Sequence, residues 1–215
     1  MQTRRPYLLI SLVFSLASSL IACGDKGAEA PAGPPKKTAA DLKPAFEKDA
    51  LAAVNAARPA GATTEFVVGV FDDDRVLAAV PKGWEESKVI PGNFKPPTGS
   101  DLGFMTSFRI GTNCDGMCSA KDWKATAEKV NFGQFRKAES FEITEEKALT
   151  APEGKLMVAK NKDAMGVKTY ITAARWKEGA NHYITCSATL EGDAAAALLP
   201  AMVKACEVTQ GVELQ

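Results

Sequence analysis

Two hydrophobic periods divide this chain. Over residues 39–58 the apolar positions Leu42, Phe46 and Ala50 recur every four residues, and Leu51 and Val54 extend the same stripe. Asp41, Lys43, Glu47, Lys48 and Asp49 fall largely off it. That spacing predicts an amphipathic helix, with Arg58 in the last turn, where a cation suits the helix dipole, and Pro59 as the stop. Beyond it the period shortens to two. Glu65–Phe71 and Arg75–Val80 are rich in Val and Phe and are separated by Asp72-Asp73-Asp74, so they read as two strands around a polar turn. Residues 85–100 contain Pro91, Gly92, Pro96, Pro97 and Gly99 and read as a long loop. Leu102–Gly111 alternates Leu102, Phe104, Thr106, Phe108 and Ile110 on one side and is expected to be a third strand.

Ser119 is the expected cap of a helix from about Ala120 to Asn131, carried by Trp123, Ala127 and Val130. Phe141–Leu149, Lys155–Lys160, Val167–Trp176 and His182–Leu190 are further strands, the last two joined by a hairpin loop over 177–181. A closing helix starts at Gly192-Asp193 and runs to about Cys206, with Leu199, Met202, Val203 and Cys206 on one stripe. Pro200 disagrees with that helix; it either kinks it or marks the first turn of a shorter one. The strand connections are short enough for antiparallel pairing. The expected fold class is therefore α+β, an antiparallel sheet with helices packed on it. One such domain is expected over 39–215, with the helix 39–58 leading a sheet region 64–215.

The first 38 residues follow neither period. Arg4 and Arg5 precede an apolar run, Leu8 to Ala17, which is the charged start and short apolar centre of a bacterial secretory signal. The run is too short for a comfortable membrane-spanning helix. Its end, Leu20-Ile21-Ala22-Cys23, resembles the lipobox of bacterial lipoproteins. The resemblance implies cleavage after residue 22 and a lipidated Cys23, which would hold the protein on a membrane through its acyl chains. Residues 24–38 lack aromatic and β-branched apolar residues, so they are expected to form a disordered tether with a reach of roughly 20–25 Å. Gly24, not Asp, follows the cysteine, and Asp25 comes one place later; by the same resemblance the periplasmic face of the outer membrane is the expected location.

Charge removes one class of partner. The formal net charge is +0, and loss of Arg4 and Arg5 with the signal tips the balance by two charges to the acidic side. No basic excess is left to neutralise phosphates, so nucleic acid is not an expected partner.

The pattern resembles the PsbP-like superfamily, an α/β/α sandwich on an antiparallel sheet. The likeness rests on Val80-Pro81-Lys82-Gly83-Trp84 at a strand end, on the strand pair Tyr170–Thr189, and on the closing helix with Cys206, and it covers roughly residues 64–210. It implies a fold and a compartment, with no shared catalytic residues to carry over.

Cysteine usage fits an exported protein. Of five cysteines, lipidation of Cys23 leaves Cys114, Cys118, Cys186 and Cys206, an even set with three possible pairings. Cys114–Cys118 and Cys186–Cys206 are favoured. The first pair brackets a tight glycine turn. The second would clamp the last helix to the core face of its strand. Met117 between the first two opens an alternative, a soft copper(I) site of two thiolates and a thioether; a thiol-redox role is another, although the spacing departs from Cys-x-x-Cys. Asp72, Asp73 and Asp74 supply hard oxygens suited to Ca²⁺, but the EF-hand spacing is absent and a solvated turn is the simpler reading. His182 is the single histidine and begins a strand, which reads as a packing position; no nucleophile elbow or HExxH pattern accompanies it. Trp84, Trp123, Trp176 and the Phe94–Pro97 segment could line a groove, with core packing the simpler reading. The function these features point to is non-catalytic: a lipid-anchored envelope protein that binds or scaffolds, taking an unknown envelope protein or small ligand, with no cofactor.

Overall fold

The computed structural model describes residues 37–114, 122–163 and 166–214. The chain enters through a helical rod over 39–56, made of α1 (Ala39–Phe46), a π-helical turn (Glu47–Leu51) and α2 (Ala52–Ala56). Thr38 opens it with a capping box: its hydroxyl accepts the Asp41 N–H at 3.3 Å, and the Asp41 carboxylate accepts the Thr38 N–H at 2.9 Å. Phe46, Ala50 and Val54 are buried, as their four-residue spacing requires. Pro44 within the rod has no N–H and crowds the carbonyl four residues earlier, and the widened π turn begins three residues on.

The strands are β1 (Phe66–Phe71), β2 (Val76–Pro81), β3 (Glu85–Glu86), β4 (Asn93–Lys95), β5 (Ser107–Asn113), β6 (Phe141–Thr150), β7 (Glu153–Asp163), β8 (Gly166–Arg175), β9 (Tyr183–Glu191) and β10 (Gln210–Gly211). They form two antiparallel sheets, a small one in the order β1-β2-β10 and a large one in the order β3-β4-β5-β9-β8-β7-β6. Between β5 and β6 lie α3 (Trp123–Ala127), a π turn (Glu128–Phe132) and α4 (Gly133–Lys137); α5 (Gly192–Ala196) and α6 (Leu199–Val208) follow β9. The protein is an α+β fold of antiparallel sheets with helices packed on them.

Alternation decides which face of the large sheet is covered by what. Phe108 and Ile110 of β5, Leu156 and Val158 of β7, Ile171 and Ala173 of β8, and Ile184, Cys186 and Ala188 of β9 point to one side. There they meet β2, α2, α5 and α6 in the main core. Met157, Ala159, Ala174 and Tyr183 occupy the other face, where Trp123, Ala127, Phe132 and Phe135 pack as a second core. Phe46, Ala50 and Leu77 make a third, smaller cluster between the rod and the small sheet. The outer strand β6 is exposed on nearly its whole length. Its backbone ladder to β7 holds it in place, and ion pairs add to this: Glu146 pairs with Arg136 (2.6 Å) and Lys155 (3.1 Å), and Lys147 with Glu207 (2.7 Å).

Several expectations need correction. Two sheets are present where one was expected, because β1 and β2 pair with each other and with β10 and with no strand of the large sheet. The loop 85–100 contains β3 and β4, which pair with each other and continue onto β5. The strand expected over 102–111 runs instead from Ser107 to Asn113. Phe104 is 82% exposed, because β4 stops at Lys95 and Glu191 draws the preceding segment into a turn by accepting the Met105 N–H at 2.9 Å. The helix expected over 120–131 runs from Trp123 to Lys137 in its three segments, with Asp122 as its N-cap; Ser119 lies outside the described residues. Gly133 costs about 1 kcal/mol in such a position, and burial of Phe132 and Phe135 on either side of it outweighs that cost. The closing helix is broken into α5 and α6, and Pro200 sits in the first turn of α6, where its missing N–H costs nothing.

Candidate functional site

The shortness of β4 creates the most distinctive feature of the surface. Its register with β5 ends at Asn93–Arg109, so Ile110 to Asn113 of β5 have no strand on that side. Two local devices satisfy the exposed edge. The Ile110 N–H donates to the Gly92 carbonyl at 2.9 Å. Gly92 can approach this closely only without a side chain, since a Cβ there would lie 2.0 Å from the Ile110 oxygen. The Thr112 N–H donates to the Asp72 carboxylate at 2.7 Å, and the Thr112 hydroxyl donates to the same oxygen. Asp72, Asp73 and Asp74 all have positive φ, 55°, 52° and 64°, which is the left-handed region that non-glycine residues avoid at a cost of about 1–2 kcal/mol each. The β1–β2 turn is thus held in an unfavourable conformation, with Asp72 fastened to the edge of β5.

A groove of about 590 Å³ opens beside this edge. Its floor includes Arg109, Gly111 and Asn113 of β5 and Thr185 and Ser187 of β9, and Asn131 contributes from the α3–α4 helical segment. Strand alternation explains the polar floor. Ile184, Cys186 and Ala188 turn inward, so Thr185 and Ser187 turn to the opposite face, which the helices leave uncovered near β5. Glu86 lies on the rim and accepts the Gly92 N–H at 2.7 Å. Both carboxylates of the groove therefore hold donors of the protein itself. Arg109 is exposed and makes no hydrogen bond or ion pair to any described residue, which leaves its guanidinium as the uncommitted charge of the groove. Sequence patterning placed Arg109 on the polar side of its strand without separating it from an ordinary solvated arginine.

The other candidate residues lie elsewhere. Cys186 and Cys206 are joined, with an S–S distance of 1.93 Å and a Cα–Cα distance of 5.1 Å, and the bond ties β9 to α6 inside the main core. Cys114 is disulfide-bonded and is not a thiolate in that state. Cys118 and Met117, and with them the Cys114–Cys118 pairing and the copper and redox alternatives, lie outside the described residues, as does Cys23. Asp72 to Asp74 belong to no cluster of three or more His, Cys, Asp or Glu placed to hold a metal among the described residues. Trp123 and Trp176 are buried in the second core, and Phe94 in the main one. Trp84 is half-buried and lines a separate groove of about 540 Å³ with Leu102 and Leu198.

His182 is 5% exposed. Its Nε2 is buried without a hydrogen-bond partner among the described residues, and its Nδ1 lies 3.7 Å from the Glu213 carboxylate. Burial pushes the imidazole pKa down, against a smaller upward pull from Glu213. It does not line the polar groove. No helix among the described residues is long and apolar enough to cross a membrane.

No family model and no curated protein matches the chain. Solved structures show loose similarity. The Ran-binding protein Mog1p of Saccharomyces cerevisiae aligns at 8% identity and a TM-score of 0.46, covering 70% of this chain and 97% of that one. LpqN of Mycobacterium tuberculosis, described as involved in cell envelope biogenesis, aligns at 13% identity and a TM-score of 0.46 over 83% and 99% of the two chains. The protein PA94 of Pseudomonas aeruginosa aligns at 11% identity and a TM-score of 0.41 over 66% and 94%. At such scores the course of the chain is shared only in outline, and no activity passes from these proteins to this one.

Proposed function

We propose that this is a lipid-anchored protein of the cell envelope, held at the outer membrane and facing the periplasm, whose folded domain binds a ligand without transforming it. The Leu20–Cys23 tetrad supports the anchor. The observation that carries the binding role is the polar groove beside β5, in which Arg109 is uncommitted while Asp72 and Glu86 already hold backbone donors. Thr185 and Ser187 are the hydroxyls of its floor, and the chain's one imidazole, His182, is buried outside it. A hydroxyl without an adjacent base is a weak nucleophile and a good hydrogen-bonding group, which suits recognition better than acyl transfer.

Two measurements test the reading. Cys23→Ser is expected to abolish lipid labelling and to move the protein out of the detergent phase; unchanged partitioning removes the anchor. Ser187→Phe fills the groove floor from an already partly exposed position. A small-molecule extract of the envelope is expected to raise the thermal midpoint of the wild-type chain and not that of Ser187→Phe. Equal shifts in both proteins place the binding somewhere other than the groove.

A further inference from the structure

We propose that the groove beside β5 is a carboxylate site, and that Arg109 anchors a singly charged carboxylate such as the chain end of a peptide. The proposal rests on the groove being the binding site.

Register places Arg109 in a row across the sheet, opposite Asn93 of β4 on one side and Ser187 of β9 on the other. Directly opposed residues on one face stand about 4.5–5.5 Å apart at their Cβ atoms, so an amide and a hydroxyl flank the base of the Arg109 side chain. One register step away on the same face, Gly111 opposes Thr185. Glycine at that position removes a side chain from the floor and leaves open space above it. The Thr185 hydroxyl donates to the Gly111 carbonyl at 3.4 Å, so the result is a planar five-donor fork with the Ser187 hydroxyl on the neighbouring floor position and room for a ligand. That is the donor set suited to a carboxylate, which takes two parallel N–H bonds from the fork and a further bond from the Ser187 hydroxyl.

Electrostatics narrows the class. Two acids line this groove with Arg109. Asp72 is engaged by the N–H and hydroxyl of Thr112, and Glu86 by the N–H of Gly92. Their bonds hold them at the rim, and neither forms an ion pair with Arg109. A single guanidinium offsets one negative charge, so a dianion such as phosphate would leave its second charge unpaired beside two carboxylates. One positive group facing two fixed negative ones favours a ligand with a single negative end. A volume of about 590 Å³ takes a ligand well beyond acetate in size.

The test uses the full chain in detergent micelles, labelled with ¹⁵N-arginine so that the Arg109 Nε–H signal is read directly. The probes are acetate, N-acetyl-Ala-Ala, its C-terminal amide, and inorganic phosphate. The dipeptide acid is expected to shift the Arg109 signal and to bind at least about 10-fold more tightly than its amide, the order of difference that one charge-assisted pair supplies. In Arg109→Gln the acid and the amide are expected to bind alike, with an unchanged thermal midpoint because Arg109 is exposed. Acetate as tight as the dipeptide assigns the site to small free acids; a tighter dipeptide assigns it to a peptide end. Equal binding of acid and amide by the wild type, tighter binding of phosphate, or no shift of Arg109 by any probe overturns the carboxylate assignment. If extract protection is still lost in Ser187→Phe, the groove remains the binding site despite that failure. If protection survives in Ser187→Phe, the broader reading falls with it.

Discussion

His182 is buried with one ring nitrogen unpaired, and its burial has a thermodynamic consequence. The folded state favours the neutral imidazole, because burial depresses its pKa below the ordinary 6.5 more than Glu213 raises it; Arg75 adds to the depression and Asp72 opposes it. An unfolded chain therefore binds a proton at His182 at a higher pH than the folded one does. Stability from this group is fully present above about 6.5 and is lost as pH falls below that value, at a slope approaching about 1.4 kcal/mol per pH unit until the folded imidazole also protonates. Glu128 and Glu207, whose lysine and arginine partners hold their pKa values down, lose their contributions only in more acid solution, below their ordinary 4.5. Urea denaturation between pH 7.5 and 5.5 is expected to show the decline in wild type and a flat profile in His182→Leu. Parallel profiles would remove His182 as the cause. At this scale the sequence was half legible. A lone histidine at a strand start reads correctly as a packing residue, and Thr185 and Ser187 fall on the polar positions of an alternating strand. What one strand cannot show is whether its polar face meets solvent or a helix, which is why Arg109 carried no special signal.

Among the elements, those with a strong period were the readable ones. The rod over 39–56 and β9 follow their patterns closely, and of the two readings Pro200 allowed, the first turn of a shorter helix is the one found. The misreadings share a cause, which is that a distant contact overrode a local preference. Leu102 and Phe104 alternate as a strand does, but no partner strand reaches them, and Glu191 takes the Met105 N–H instead. The helix expected to end at about Asn131 continues through Gly133 to Lys137, because Phe132 and Phe135 are buried on either side of the glycine. The Cys186–Cys206 bond belongs to this scale because it joins two elements across a separation of 20 residues. Closing a loop of that size removes unfolded-chain entropy worth about 3 kcal/mol. Both sulfurs are buried, so Cys186→Ala with Cys206→Ala also leaves a small cavity. The double variant is expected to lose about 3–4 kcal/mol in guanidinium denaturation. A loss below about 1 kcal/mol would mean that β9 and α6 are held by packing alone.

Across the whole molecule, three apolar clusters are stacked: rod against small sheet, small sheet and helices against the large sheet, and the large sheet against α3 and α4. The α+β class was legible because antiparallel pairing follows from short connections. The second sheet was not, since the pattern of β1 and β2 shows that they are strands and not that they pair with no strand of the large sheet, and the two residues of β10 carry no periodic signal. The stacking raises the question of whether the clusters melt together. Adjacent residues of β2 face opposite ways, so Leu77 packs under the rod with Phe46 while Val76 and Ala78 enter the main core. Adjacent residues of β7 repeat the arrangement, with Leu156 in the main core and Met157 in the second. Each strand thus belongs to two clusters, and neither cluster can open without disturbing the strand they share. Phe46→Ala, in the outermost cluster, is expected to cost about 3–5 kcal/mol. If unfolding is a single transition, that loss must also appear in the most distant cluster. Trp123 and Trp176 report that cluster by their fluorescence once Trp84 is replaced by Phe. In that background Phe46→Ala is expected to lower the fluorescence midpoint and the far-ultraviolet circular dichroism midpoint by the same amount. A fluorescence midpoint that stays in place while the dichroism midpoint falls would show that the rod and small sheet melt apart from the large sheet.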